Sequence, residues 1–407
     1  MKKWIGILAI VYTTLLCAET VYREVPAETV MMGDFEESSG TGALSQNHPD
    51  LNVKEEVITA DEYFGGEEEE EHRESLSLTS PGDYTMKRPK IALLVPRKVI
   101  GGYANSVANE VLSYLIYSNK HFIFEVFDSG TEDKDALTLA IQKIRHKGYK
   151  VVVAPLTSTG ANQLASIEKG LLVYVPTVNQ DDIYVQNPGF FYGGIDYKAQ
   201  VDALLNHVDD KIVIFDDGSS LSKKISDYIT ESRIEDIVYS KVIKNVNANL
   251  SYLLKKNSKL YGANIFLNMP VVKSALVAAQ LSRYKVPYNR ILSTQVNYSP
   301  LLFTLTQYAD REKFYIANAI AKAPFRLEDI STLLGADIRF NWIDYATCVG
   351  LDYLFTEYLS LQRARVFHEM LYAQQIYYDT EIVQPKQGSF AHIDRVHATP
   401  ATNEERW

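Results

Sequence analysis

Two cysteines, Cys17 and Cys348, are all that 407 residues provide. That is too few for a disulfide framework, so a packed core must hold the chain. No apolar run approaches the roughly 20 residues of a spanning helix, which excludes a polytopic membrane protein. A basic excess is also missing: 41 Lys and Arg against 51 Asp and Glu leave a formal charge of −10. A general nucleic-acid binder needs the opposite sign to neutralise phosphates. Eight histidines without paired spacing make no metal site. GxSxG, HExxH, the P-loop and CxxC do not occur, and GGYANS does not fit GxGxxG, so no enzyme class is signalled. His121, His146, His207 and His368 fall in helical or loop contexts, and only a triad assembled in space stays open. What is present is a globular composition, 46% apolar and 23% charged, long enough to bury a sizeable core.

The N-terminus, MKKWIGILAIVYTTLLCA, has a basic start (Lys2, Lys3), an apolar stretch from Trp4 to Leu16 and Ala18 at a cleavage position. This pattern predicts a secretory signal peptide over 1–18 and hence a periplasmic protein. Two alternatives are an uncleaved anchor, against which the stretch is short, and lipidation of Cys17, which would tether the protein to the outer membrane. Residues 19–80 then carry 17 acidic side chains against Arg23, Lys54 and Arg73, a net of −14, with the run GGEEEEEHRE at 65–74. Such a segment buries too little apolar surface to offset its ordering entropy, so 19–87 reads as a disordered acidic linker. A docking role is the alternative, because VYREVP (21–26) and ADEYFGG (60–66) mix aromatics with acids. The remaining residues, 81–407, are nearly neutral at +2, so secretion rather than charge excludes nucleic acid as a partner.

From Arg88 onward apolar runs alternate with amphipathic stretches. KIALLVP (90–96) precedes apolar positions Tyr103, Val107, Val111, Leu112, Leu115 and Ile116, whose spacings of three and four give one helix face. FIFEVF, VVVAP and LLVYVP continue the series, with helices near 133–147 and from Gly160. IVIFDDG, IEDIVYSKVI, ANIFLN, RILSTQ and FYIANAI follow, with helices at about 219–232, 248–256, 271–284, 299–308 and 342–360. A Tyr-rich ending closes the domain. Continuous apolar strands separated by helices predict an α/β class: two Rossmann-like lobes with parallel sheets covered on both faces. The Gly-rich NPGFFYGGIDYKA divides them. The expected lobe one is about 88–195 plus later crossover segments, lobe two about 200–310, the whole domain 88–395, and 396–407 a flexible tail.

These segments resemble a type I periplasmic binding protein. IALLVP with GGYANSVANEVLSYLI is similar to that family's opening strand, turn and first helix. APLTSTGANQLA resembles its Gly-Pro…Ser-Ser/Thr turn, VPTVNQ its Pro-Val-Ile counterpart, and KIVIFDDGSSLSKKISDYI, NIFLNMPVVKSALVAAQL and ILSTQVNYSPLL its second lobe. The resemblance covers residues 88–395 and implies a non-enzymatic module without a cofactor. It fits two branches: receptors of branched-chain-amino-acid transporters, and the lipoprotein domain that activates a penicillin-binding protein. The first implies a small polar ligand, an amino acid or small carboxylate, and the second an envelope protein partner with a vestigial cleft. ILSTQVNYS lacks the Asp that amino-acid receptors often place there.

Ligands of parallel α/β sheets bind beyond the carboxyl ends of strands, where helix N-termini offer unpaired N–H groups. The expected ligand set therefore comprises Gly102 and Tyr103, then Thr157, Ser158 and Thr159, then Thr177 and Asn179 in lobe one. Asp217, Ser219, Asn268, Gln295 and Asn297 complete it from lobe two. Competing roles are ordinary: Ser158 or Thr159 capping its own helix, Asn179 shaping a loop, Gly101 and Gly102 making a turn, Tyr103 packing inward. For a zwitterion, Asp217 or Asp128 is the available charge. Cys348, inside IDYATCVGLDYL, reads as a buried thiol.

Overall fold

A computed structural model describes residues 89–118, 122–244, 250–359 and 364–398. The segments expected to be a signal peptide and an acidic linker, with Cys17, His121 and residues 399–407, lie outside the described residues. In chain order the strands are β1 (Lys90–Val95), β2 (Ile123–Asp128), β3 (Val151–Val153), β4 (Leu172–Val175), β5 (Phe190–Tyr192), β6 (Ile212–Asp216) and β7 (Ile237–Val242). They continue with β8 (Asn264–Asn268), β9 (Arg290–Ser293), β10 (Phe314–Asn318), β11 (Met370–Tyr372), β12 (Gln375–Tyr377), β13 (Thr380–Pro385) and β14 (Phe390–Val396). The longer helices are α1 (Tyr103–Ser118), α2 (Lys134–His146), α3 (Ser158–Ile167), α4 (Tyr197–Leu205), α5 (Ser220–Arg233), α6 (Val271–Arg283), α7 (Phe325–Leu333) and α8 (Trp342–Tyr353).

Two seven-stranded sheets result, ordered β11-β12-β5-β4-β3-β1-β2 and β14-β13-β10-β9-β8-β6-β7. Their centres are parallel, as the uninterrupted apolar strands require: β6 and β8 are buried at every position. The late strands bring antiparallel pairs, although β12 itself joins β5 in parallel. β13 pairs with β10 at Ile316↔Val383, β14 with β13, and β11 with β12. The Tyr-rich ending is therefore strand on both sheets, lobe two extends well past residue 310, and its last strand runs to Val396.

The chain passes between the sheets three times, after β5, after β10 and after β12. The second passage carries α7 and α8, which return to pack on α1 of lobe one. The Gly-rich stretch at the first passage has a packing cause. Tyr174 on β4 is fully buried, and its hydroxyl donates to the Ala346 carbonyl at 2.5 Å. A Cβ on Gly193 would lie 2.0 Å from that hydroxyl, and one on Gly350 of α8 2.0 Å from the ring. Glycine lets one strand, one crossover and one helix close on a single tyrosine.

Several helices end earlier than their apolar pattern suggests. Residues 251–254 form one turn only. The expected helix at 299–308 is two short pieces, Leu301–Leu305 and Tyr308–Arg311, because Gln307 and Asp310 make a reciprocal cap that starts the second. The long helix after 342 gives way to a π-helical turn at Leu354–Tyr358. Between α1, α7 and α8 lie three fully buried carboxylates. Glu110 accepts from Ser331 Oγ and Cys348 Sγ, Asp344 from Ser106 Oγ, and Asp352 from Tyr114 Oη at 2.8 Å.

Candidate functional site: the cleft between the lobes

The carboxyl ends of β1 and β4 face those of β6 and β9. Lys224 of α5 pairs with Asp182, just after β4, and so bridges the lobes. Between them a cleft of about 310 Å³ is lined by Tyr103 at the start of α1, Tyr197 at the start of α4, Leu221 of α5, Gln295, Val296 and Tyr298–Leu301 after β9 and a stretch of the second crossover. From that crossover come Asp337, Phe340, Asn341, Trp342 and Ile343. Tyr298 and Phe340 are 5.5 Å apart between centroids, and Tyr298 packs on Phe390 at 4.6 Å. The walls are thus mostly apolar, with five aromatic rings, and carry the polar side chains of Gln295, Ser299 and Asn341. Among the described residues lining it there is no Lys, Arg or His, and Asp337 is the one charged group. One oxygen of Asp337 accepts from Arg339 N at 3.1 Å, while the Arg339 side chain stays 3.8 Å off.

The polar residues expected to hold a ligand are spread over several places, and most are bonded to the protein itself. Thr157 rather than Ser158 or Thr159 caps α3, and Thr159 is exposed. Thr157 N donates to Glu132 Oε1 at 2.7 Å and Thr157 Oγ1 donates to Oε2. Glu132 is buried, and burial raises its carboxyl above the ordinary range. A Cβ on Gly160 would sit 2.4 Å from the Glu132 carboxyl carbon. The anion-attracting start of α3 is therefore covered by a carboxylate of the protein's own. Thr177 donates to the Leu156 carbonyl at 2.5 Å, tying β4 to β3. Asn179 caps a short turn by accepting from Asp181 N, and it lines a different, more polar groove with Gln200, Gln375 and Lys198. Gly102 is exposed in the turn before α1.

Lobe two repeats the pattern. Burial pushes the Asp217 carboxyl up, but hydrogen bonds from Lys273 at 2.8 Å, Ser222 and Ser219 outweigh it and hold it near 2. Ser219 caps α5 by accepting from Ser222 N. Asn268 donates to Ser226 Oγ at 2.9 Å, and Asn297 to Ser293 Oγ at 2.6 Å. Gln295 accepts from Ala319 N at 2.7 Å and donates to Asn318 Oδ1 at 3.2 Å, so it braces β9 against β10. Asp128 accepts from Gly130 N at 2.7 Å within its own loop. Of the expected set, Tyr103 and Gln295 alone line the aromatic cleft.

Sequence reading missed Glu132, Tyr298, Asp337, Phe340 and Trp342. Asp337 and Phe340 belong to a crossover between recognisable elements, where periodicity gives no position, and Trp342 opens α8. The signal at hand was the cluster FNW at 340–342, two aromatics where a helix starts.

Two parallel-centred sheets joined by three passages, with a cleft at their carboxyl ends, place the chain among known folds. It has the fold of a type I periplasmic binding protein. Similar structures include the branched-chain amino acid transporter substrate binding protein LivJ of Streptococcus pneumoniae, solved with isoleucine. The likeness has TM-score 0.58 and 11% identity over 77% of this chain and 100% of that one. A solute binding protein of R. palustris in complex with benzoate gives TM-score 0.54 and 12% identity, over 78% and 98%. LpoA of Haemophilus influenzae gives 0.52 and 12%, over 76% of this chain and 60% of that one. No protein-family model matches the sequence, and no curated protein matches it either. Sequence divergence at this level leaves the periplasmic-binding-protein fold as the shared property.

Proposed function

We propose that the chain is a non-enzymatic, periplasmic binding module whose cleft takes a small ligand with a flat apolar body. The carrying observation is the contrast inside the cleft: apolar walls with five aromatic rings and one carboxylate, against strand-end polar groups already bonded internally. A buried carboxylate or zwitterion needs partners for its charge, and the cation beside this wall, Arg339, is already shared between Asp337 at 3.8 Å and the Phe340 ring at 5.8 Å. The ligand class moves accordingly, from the amino acid or small carboxylate suggested by sequence toward neutral or cationic aromatics. Aromatic faces also attract cations, in keeping with Asp337 at the same wall.

A second reading is a scaffold that offers the same surface to an envelope protein. Its support is the ion pair between Lys224 and Asp182, which joins the lobes through the protein's own side chains. A thermal-shift screen with aromatic amines, benzoates and free amino acids separates the two. A ligand at 100 times its dissociation constant adds about 2.7 kcal/mol, roughly 4 °C for a domain of this size. Shifts confined to the aromatic amines, and lost in Tyr298→Ala, support the first reading. Flat melts throughout, with an envelope protein recovered by crosslinking, would leave the scaffold.

A further inference from the structure

Charge is segregated along this chain. Residues 237–309 contain no Asp or Glu but nine Lys and Arg. Two of these have carboxylate partners: Lys273 with Asp217 at 2.8 Å and Arg290 with Asp209 at 4.0 Å. Lys241, Lys244, Lys255, Lys256 and Lys259 are exposed, and none makes an ion pair among the described residues. Lys241, Lys244 and Lys259 gather at one place, and Lys255 and Lys256 precede Lys259 by four and three residues. Lys241 lies on β7 and Lys244 just beyond it, while residues 258–260 pack on β7 and Lys259 Nζ stands 5.3 Å from the Tyr239 ring centroid. β7 is the terminal strand of the lobe-two sheet, bonded to β6 on one side and to no strand on the other among the described residues.

A lysine on an edge strand is a common guard against unwanted pairing. That role accounts for Lys241, but not for Lys255, Lys256 and Lys259, which lie off the strand. The chain carries a complementary segment: residues 55–74 hold ten Asp and Glu against Arg73, with Tyr63 and Phe64 among them. The 18 residues from Glu71 to Pro89 reach about 60 Å when extended. A compact domain of this size measures on the order of 50 Å across. Tethering also raises the local concentration of the segment to about the millimolar range, enough for a weak electrostatic contact.

We propose that residues 55–74 dock on the basic β7 edge of lobe two, so that the acidic leader lies along its own domain. The chain expressed from residue 19 is treated with a zero-length carbodiimide, which joins carboxyls to amines in direct contact, and the links are mapped by mass spectrometry. The expected links join Glu67–Glu71 to Lys241, Lys244, Lys255, Lys256 or Lys259. They should fall at least about fivefold between 20 and 500 mM salt, because exposed charges are screened over a few ångströms at the higher value. The exposed variant Lys255→Glu/Lys256→Glu/Lys259→Glu should lose them while melting as the parent does. Links spread equally over Lys98, Lys150 and Lys169 of lobe one would overturn the proposal. So would a complete absence of links at the β7 edge, or links that vanish on dilution and therefore join separate molecules.

Discussion

Glu110 offers a direct test of the buried layer between α1, α7 and α8. Burial, then the nearby Asp344 charge, raises its carboxyl from 4.5 to about 8, against smaller opposing hydrogen bonds from Cys348 and Ser331. A carboxyl with a raised folded value holds a proton that the unfolded chain releases. Stability is then greatest below pH 4.5 and falls as pH climbs toward 8. At about 1.36 kcal/mol per unit, the loss assigned to Glu110 between pH 6.5 and 9 is ~2 kcal/mol. Glu110→Gln keeps the shape and removes the titration. Urea unfolding of both proteins at several pH values in that window should show the variant gaining ~2 kcal/mol on the parent as pH rises. Asp344, raised to about 6 chiefly by burial, has completed most of its change before this window and cancels in the difference. A uniform cost of the substitution is a constant offset and leaves the slope intact. A difference independent of pH would refute the claim that Glu110 is protonated in the folded protein.

Gly350→Ala should cost about 1–3 kcal/mol or more in urea unfolding, since its Cβ would stand 2.0 Å from the Tyr174 ring within a closed core. An unchanged midpoint would mean that α8 has room to shift. Lys273→Ala should raise the Asp217 pKa from near 2 toward the ordinary 3.8 by NMR titration, because the ammonium is lost while burial and the bonds from Ser222 and Ser219 remain. The stability that the parent holds above pH 3.8, and loses as pH falls toward 2, then shrinks. Lys224→Ala and Asp182→Asn, singly and together, should yield a coupling of up to ~1 kcal/mol for this half-buried pair. Zero coupling would deny that the pair clasps the lobes.

The central strands were legible because both sheets have buried parallel centres, and runs such as IVIFD and NIFLN read as continuous apolar strands. The antiparallel additions were not. QIYYDTEIVQP has no clean alternation, because Gln375 and Thr380 are buried through their own bonds and contacts. Gly193 and Gly194 looked like a flexible divide, yet Tyr174 and the backbone at Val178 fill the space their side chains would need. At the site, sequence located the strand ends but could not report what their polar groups bond to. Thr157 reads identically whether its N–H faces solvent or Glu132, 25 residues away.

That unreadable detail decides the chemistry. A helix start after a strand attracts anions wherever its N–H groups are free, so the fold by default favours acidic ligands. Here Glu132 covers the α3 start, and Ser219 with Asp217 occupies that of α5. Both default anion sites are satisfied from within, and the groups lining the cleft are rings, aliphatic side chains, Gln295, Ser299, Asn341 and Asp337. Glu132→Ala should therefore do more than remove a bond: it should restore an anion site at Thr157. A gain of acetate or phosphate stabilisation in that variant alone, seen by thermal shift, would show that Glu132 is what keeps anions from the α3 start. Equal responses in parent and variant would show that the α3 start holds no anion even when uncovered.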